Sequence, residues 1–231
     1  MTARAPLFVI GAGPGVGAAV ARRFGRAGHA LGLVARNEAR LRDQVGRFAE
    51  AGIAAAYALA DVQDPDAVRA AIDVLEDRLG AAEALCVSPL PDIATIKPVE
   101  ATTAEDLDAA LRLGVVGTAA AVGRVLPAMR VAGHGTLLFT TGSAALTPTP
   151  ARATSGIVNA AQATYFRMLH ERLGDEGIYA LHTVIVGPIG PEGHDPDDIA
   201  EAMWAAAQRR AEAQIVIRDA AQPVGARRQR M

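Results

Sequence analysis

The sequence predicts an α/β fold, a single doubly wound domain with a parallel sheet flanked by helices. Three observations carry this. Short apolar runs alternate with longer helical segments along all 231 residues, as parallel strands joined by right-handed crossovers require. The strand candidates are apolar on both faces instead of alternating, which fits strands covered on both sides. No internal repeat or Pro/Ser-rich linker interrupts the pattern, and the length suits about one domain of roughly 150 residues or a tight pair.

The elements follow in order. Leu7–Ile10 reads as the first strand, closed by a glycine cluster at 11 to 17 and a helical stretch to about Gly28. Ala30–Ala35 is a second strand, 38 to 51 has helical composition, and Ile53–Leu59 is a third strand. Asp64-Pro65 pairs an N-cap with proline at the first helical position, opening a helix to about Leu79. Ala84–Val87 is a fourth strand. A long helix begins near Thr102, where Thr102-x-x-Glu105 makes a capping box, and runs towards Arg130. Thr136–Thr140 is a fifth strand, 154 to 173 a helix, and Ala180–Val186 a sixth strand. Asp195-Pro196 repeats the cap and proline before a helix to about Arg210, and Gln214–Ile217 is the last strand. The tail from about 220, with Arg227-Arg228-Gln229-Arg230, reads as flexible and solvated.

Composition excludes several classes. One cysteine among 231 residues cannot close an internal disulfide, so a reducing, cytoplasmic compartment is expected. With 23 Lys+Arg against 25 Asp+Glu and 4% aromatics, neither a phosphate-binding charge excess nor a base-stacking platform is present, and no nucleic-acid partner is expected. Apolar runs are broken by Gly, Pro or charge short of a membrane span, and no signal-peptide core is visible, so no membrane association is expected. No His or Cys spacing suits a metal.

The chemistry-bearing motif is Gly11-Ala12-Gly13-Pro14-Gly15-Val16-Gly17, between the first strand and a helix. There, free helix amides can face a pyrophosphate, and side chains would block its approach. G-x-G-x-x-A fits at Gly13, Gly15 and Ala18, and G-x-x-x-G-x-G at Gly11, Gly15 and Gly17. The alternative is a turn that only packs helix on strand; its position favours dinucleotide binding. At the end of the second strand stands Ala35-Arg36-Asn37 with no acid before Glu38. An arginine there suits a 2′-phosphate, favouring NADP(H) over NAD(H). Asp61 and Val62 stand where an adenine amino group could be received; loop capping is the other reading of Asp61.

These residues resemble the short-chain dehydrogenase/reductase superfamily over nearly the whole chain. The resemblance is carried by Gly11/Gly15/Gly17, Asp61-Val62, Val125-Leu126-Pro127, Leu138-Phe139-Thr140-Thr141-Gly142-Ser143 and Val186-Gly187-Pro188-Ile189. It implies a Rossmann-type sheet of seven parallel strands, a nicotinamide cofactor and a homodimer or homotetramer built through the long helix and helix 154 to 173. It further implies a proton-donating tyrosine, a lysine four residues later, an orienting serine and a relay asparagine. Ser143 matches the serine. Alignment through Leu173 and Gly177-Ile178 puts Ser155 at the tyrosine and Asn159 at the lysine; counting back from Pro127 puts Gly114 at the asparagine. Tyr165 lies too far from Ser143, and Lys97, the sole lysine, is in the loop after the fourth strand. Val87-Ser88-Pro89-Leu90 replaces the family's Asn-Ala-Gly run, leaving Ser88 beside the cofactor, and Pro191 replaces a threonine that contacts the nicotinamide.

Two readings remain. One is an oxidoreductase with an altered site, in which Ser143, Ser155 and Asn159 position a small-molecule substrate. The other is a non-catalytic relative that binds NADP(H) or a protein partner. His170 reads as an interface or surface residue, His182 as a packed histidine, Cys86 as buried core, and Met168, Met203 and Trp204 as core or interface packing.

Overall fold

The computed structural model describes residues 4–218, so the tail from about 220, including Arg227–Arg230, lies outside the described residues. In chain order the elements are β1 (Arg4–Ile10), α1 (Val16–Arg26), β2 (His29–Ala35), α2 (Glu38–Glu50), β3 (Ala55–Leu59), α3 (Pro65–Leu79), β4 (Ala84–Val87), α4 (Ala104–Leu111), α5 (Gly117–Ala132), β5 (Gly135–Gly142), α6 (Ala153–Leu173), β6 (Ile178–Ile185), α7 (Pro196–Arg209) and β7 (Gln214–Ile217). The strands form one sheet in the order β3-β2-β1-β4-β5-β6-β7, every pair parallel. The order reverses beside β1, so a crevice opens between the carboxyl ends of β1 and β4.

Successive strand residues point to opposite faces. Phe8 and Ile10 join Ile72, Leu75, Val125, Leu137, Phe139 and Phe166 on the α3, α5 and α6 side. Leu7 and Val9 join Phe24, Leu33, Leu41, Leu138 and Met203 on the α1, α2 and α7 side. Two apolar layers explain why the strands carry no polar face. Asn37, Asp64 and Asp195 cap α2, α3 and α7 by accepting from first-turn amides, with Pro65 and Pro196 opening two of them.

The helix expected from Thr102 to Arg130 differs in detail. Its capping box is Thr103 with Asp106, one residue on from the Thr102/Glu105 expected. Thr102 is diverted because its hydroxyl donates to the Pro98 carbonyl at 2.8 Å. The helix is also split by a π-helical turn, Arg112–Val116, between α4 and α5. Taken together, Ala104–Ala132 is long and apolar enough to cross a membrane by length and composition, correcting the expectation that every apolar run stops short. Its glycines interrupt the run of bulky residues without ending the helix, and Val122, Val125 and Met129 are spent on the core. Smaller shifts are a third strand starting at Ala55 and a sixth spanning Ile178–Ile185. Met168 is half exposed on α6, outside the core.

The long helix is seated by Gly117, where a Cβ would overlap the Val62 carbonyl oxygen. That neighbour is backbone and cannot rotate away. Gly117→Ala is expected to destabilise the protein by about 1–3 kcal/mol or more. Thermal unfolding should show a fall in Tm of about 2–4 °C per kcal/mol; an unchanged Tm would contradict this packing.

Candidate active site

The glycine turn contains two kinds of glycine. Gly11 has φ +83°, and a Cβ on it would lie 2.7 Å from the Pro89 backbone. Gly17 would bring a Cβ to 2.9 Å from the Gly11 carbonyl oxygen. These two are required by the fold. At Gly15 a Cβ would meet nothing within 4 Å, and at Gly13 only the Gly11 carbonyl oxygen at 3.9 Å. Neither has positive φ. Their missing side chains leave open space at the start of α1, whose N-cap, Gly15, makes no side-chain cap bond and whose first turn has no acid. The first-turn amides thus have no intrahelical acceptor. Val16 directs its side chain into the core and offers only its backbone.

At the end of β2, Arg36 is exposed and its guanidinium stands 3.7 Å from Asp61. Asp61 also accepts from the Gln63 amide at 3.0 Å, so it both caps its loop and faces Arg36. The Val62 side chain is buried in the core, leaving only its backbone for a ligand. This half of the crevice fits an anionic dinucleotide: uncapped amides, an open cradle and an exposed cation.

The second half lies at the ends of β4, β5 and β6. Ser88 sits beside Thr140, whose hydroxyl donates to the Ser88 hydroxyl at 2.8 Å. Ser143 begins a short 3-10 turn after β5; its carbonyl accepts from Leu146 and Thr147, while its exposed hydroxyl has no partner among the described residues. The hydroxyl is therefore not spent on capping. Ser155 and Asn159 are half-buried, four residues apart on α6 and so on one face. Asn159 Nδ2 reaches the Gly142 carbonyl at 3.5 Å, placing this face against the end of β5.

Gly114 lies in the π turn. A Cβ there would stand 2.5 Å from Val158 and 3.1 Å from Gln162. Its carbonyl accepts from Thr118 Oγ1 at 2.7 Å and from Gln162 Nε2 at 3.0 Å. Both lone pairs are used. The sequence reading missed Gln162 and Thr140, because each acts through a partner far away in the chain.

The remaining candidates fall outside the crevice chemistry. Lys97 is held by both oxygens of Asp106 at 2.8 Å, and this ammonium holds the Asp106 carboxyl below its usual range. Burial pushes the Tyr165 phenol up and the Cys86 thiol to about 12. His170, expected at an interface or surface, is partly exposed on α6, engages the Ala180 carbonyl at 2.9 Å and meets Tyr179 edge to face. Trp204 packs against Phe24 under Arg23. Pro191 tips a loop that closes on itself through Gly190 with His194 and His194 with Pro188. Among the described residues no group of three His, Cys, Asp or Glu is arranged to hold a metal.

A family profile described as enoyl-(acyl carrier protein) reductase matches residues 11–223. The chain is similar in fold to L-sorbose reductase from Gluconobacter frateurii complexed with NADPH and L-sorbose, at TM-score 0.85 and 18% identity over 94% of this chain and 96% of that one. It is similar to gluconate 5-dehydrogenase from Burkholderia cenocepacia J2315 in complex with NADP and tartrate, at TM-score 0.81 and 22% identity, covering 93% and 94%. A third such structure is the NADPH-bound short chain oxidoreductase from Pseudomonas aeruginosa PAO1 containing an atypical catalytic center. There the TM-score is 0.82 and the identity 18%, covering 92% and 95%.

His182, on β6 beneath the site, shares a 2.7 Å hydrogen bond with Thr141 Oγ1 and is buried. Desolvation lowers its pKa to about 4. Because the folded value lies below the unfolded 6.5, the neutral form is favoured by folding. Its contribution is complete above pH 6.5 and is lost as pH falls towards 4, amounting to about 3 kcal/mol. Denaturant titrations from pH 7.5 to 4 should show this loss, and His182→Gln should flatten it.

Proposed function

The chain belongs to the short-chain dehydrogenase/reductase superfamily, within the enoyl-(acyl carrier protein) reductase family, and from this premise we propose that it is an NADP(H)-binding oxidoreductase with a degenerate catalytic site. The observation that carries the cofactor half is the open space at Gly13 and Gly15 in front of the uncapped α1 amides, where a Cβ would meet nothing closer than 3.9 Å. The α1 amides and this cradle would hold the pyrophosphate, Arg36 a 2′-phosphate, and Asp61 the adenine side. When bound, the nicotinamide supplies a hydride donor or acceptor.

In the reacting half the chain's residues position better than they transfer protons. The Ser143 hydroxyl is free to orient a substrate oxygen. Ser155 occupies the family's tyrosine position, but an aliphatic hydroxyl is a far weaker acid than a phenol of pKa about 10 and needs an adjacent base. Asn159 can hydrogen-bond a ribose but brings no charge to tune Ser155. Gly114, at the relay-asparagine position, has no side chain, and Gln162 and Thr118 already satisfy its carbonyl, so it cannot hold a relay water as well. These features support weak or absent carbonyl reductase activity. The closed Gly114 carbonyl favours the second reading, a non-catalytic NADP(H)-binding subunit. In either case we take the exposed apolar residues Val116, at the end of the π turn, and Ile157 and Met168 of α6 as the surface of a homo-oligomer in the cytoplasm.

Fluorescence titration tests the cofactor reading. Micromolar NADPH binding with weaker NADH binding is expected. Arg36→Ala should remove about 10- to 100-fold of that preference, the worth of a charged hydrogen bond. No binding of either nucleotide would refute it. Ser155→Tyr with Asn159→Lys should introduce measurable carbonyl reduction absent from the parent; a stable, NADPH-bound but inactive double variant would place the fault also in the nicotinamide pocket.

A further inference from the structure

A cleft of about 340 Å³ opens between α1 and α2, with Pro14 of the glycine turn at one end. Ala18 and Arg22, one turn apart, line it from α1; Arg40, Gln44, Arg47 and Phe48 line it from α2. About 10 Å of helix separates Arg40 from Arg47, so the cleft leads away from the turn along the outside of the sheet. Arg36, which faces Asp61 at the end of β2, takes no part in this lining.

Three guanidinium groups and one carboxylate, that of Asp43, stand around the cleft. Two of the cations are already paired, Arg22 with Asp197 at 2.6 Å and Arg47 with Asp43 at 3.1 Å. The third is not. Arg40 is exposed, and its side chain has no partner among the described residues. The order of residues on α2 explains this. Its i+3 neighbour, Asp43, is taken by Arg47, and its i+4 neighbour is the neutral Gln44, which donates to the Ala12 carbonyl at 3.2 Å. Arg40 also stands in the first turn of α2, where the helix dipole disfavours a cation. An anion beside it offsets both the missing partner and the dipole.

We propose that this cleft, separate from the dinucleotide crevice, is a binding site for a small aromatic monocarboxylate. The carboxylate accepts two parallel N–H···O bonds from the Arg40 guanidinium. One unpaired guanidinium suits a single negative charge. The ring lies against Pro14, Ala18 and Phe48 and stacks on the planar guanidinium groups of Arg22 and Arg47, which their own ion pairs hold in place. The volume lies at the small end of the range for ligand pockets, about 300–1,000 Å³, and so suits a body of one or two rings. Nothing in this assignment depends on the cofactor reading or on the reacting residues of β5 and α6.

The test is a titration of the intact protein with benzoate, 2-naphthoate, benzamide and acetate, followed by ligand-observed NMR. Benzoate and 2-naphthoate should bind saturably. Benzamide, which lacks the charge, and acetate, which lacks the ring, should bind at least about 10-fold more weakly, the worth of one hydrogen bond to a charged group. Arg40→Gln, at an exposed position, should weaken benzoate by a similar factor, whereas Arg42→Gln, on the same helix but outside the cleft, should leave it unchanged. Equal affinity for benzoate and benzamide, an unchanged affinity in Arg40→Gln, or no saturable binding overturns the inference. Displacement of benzoate by saturating NADPH also overturns it, because Arg40 then serves the dinucleotide; simultaneous binding of the two sustains it. If NADPH does not bind at all, the cofactor reading fails alone, and the comparison of benzoate with benzamide and of the parent with Arg40→Gln still decides this one.

Discussion

The arrangement turns on the close approach of Gly11 to the end of β4. With φ +83° and the Pro89 backbone 2.7 Å from where its Cβ would be, Gly11 lets the first crossover begin directly beneath the fourth strand's loop. Its amide and that of Ala12 both donate to the Val34 carbonyl, at 2.9 and 3.0 Å, so the same turn is anchored to β2. Three strand ends are thereby fixed around one point, and α1 starts with its amides turned to the crevice. A side chain at Gly11 would push these apart, displacing the glycine turn and Ser88 together.

Around that point the two halves of the crevice obey different constraints. On the β1–β2 side, open space and uncapped amides are left unused by the fold, and the exposed Arg36 is engaged only by Asp61 at 3.7 Å. On the β4–β6 side, groups that a reaction could use are engaged by the protein itself: Ser88 by Thr140, the Gly114 carbonyl by Gln162 and Thr118, Lys97 by Asp106. The π turn at Arg112–Val116 persists although Gly114 offers no side chain, because Val158 and Gln162 fill the space beside it. Packing has taken over that stretch of helix.

The sheet was legible because its signals are local: Asp64-Pro65 and Asp195-Pro196 mark helix starts, and the unbroken apolar strands require cover on both faces. The capping box slipped by one residue because Thr102 and Thr103 both offer a hydroxyl, and only the loop's path shows that Thr102 is bonded to Pro98. The glycine turn, Arg36 and Ser143 were visible as residue types at characteristic places. Their division into structural glycines (Gly11, Gly17) and open ones (Gly13, Gly15) was not, since it depends on how closely Pro89 and the Gly11 carbonyl approach. Gln162 carried no sequence signal at all, its partner lying 48 residues away.

That division bears on which reading of the chain is physically economical. Glycine loses more conformational freedom on folding than any other residue, costing about 0.5–1 kcal/mol relative to alanine in regular structure. At Gly11 and Gly17 steric necessity offsets this. At Gly13 no such contact exists: a methyl group would meet only the Gly11 carbonyl oxygen at 3.9 Å, and φ is not positive, while at Gly15, whose backbone stands at φ −89° and ψ −126°, it would meet nothing within 4 Å. A chain maintained only for its shape or for its outer helical faces gains nothing from a glycine at position 13 in front of an uncapped helix. A ligand whose anionic backbone must approach the α1 amides explains Gly13 and the uncapped helix start together, and it does so whether or not Ser155 can ever deliver a proton.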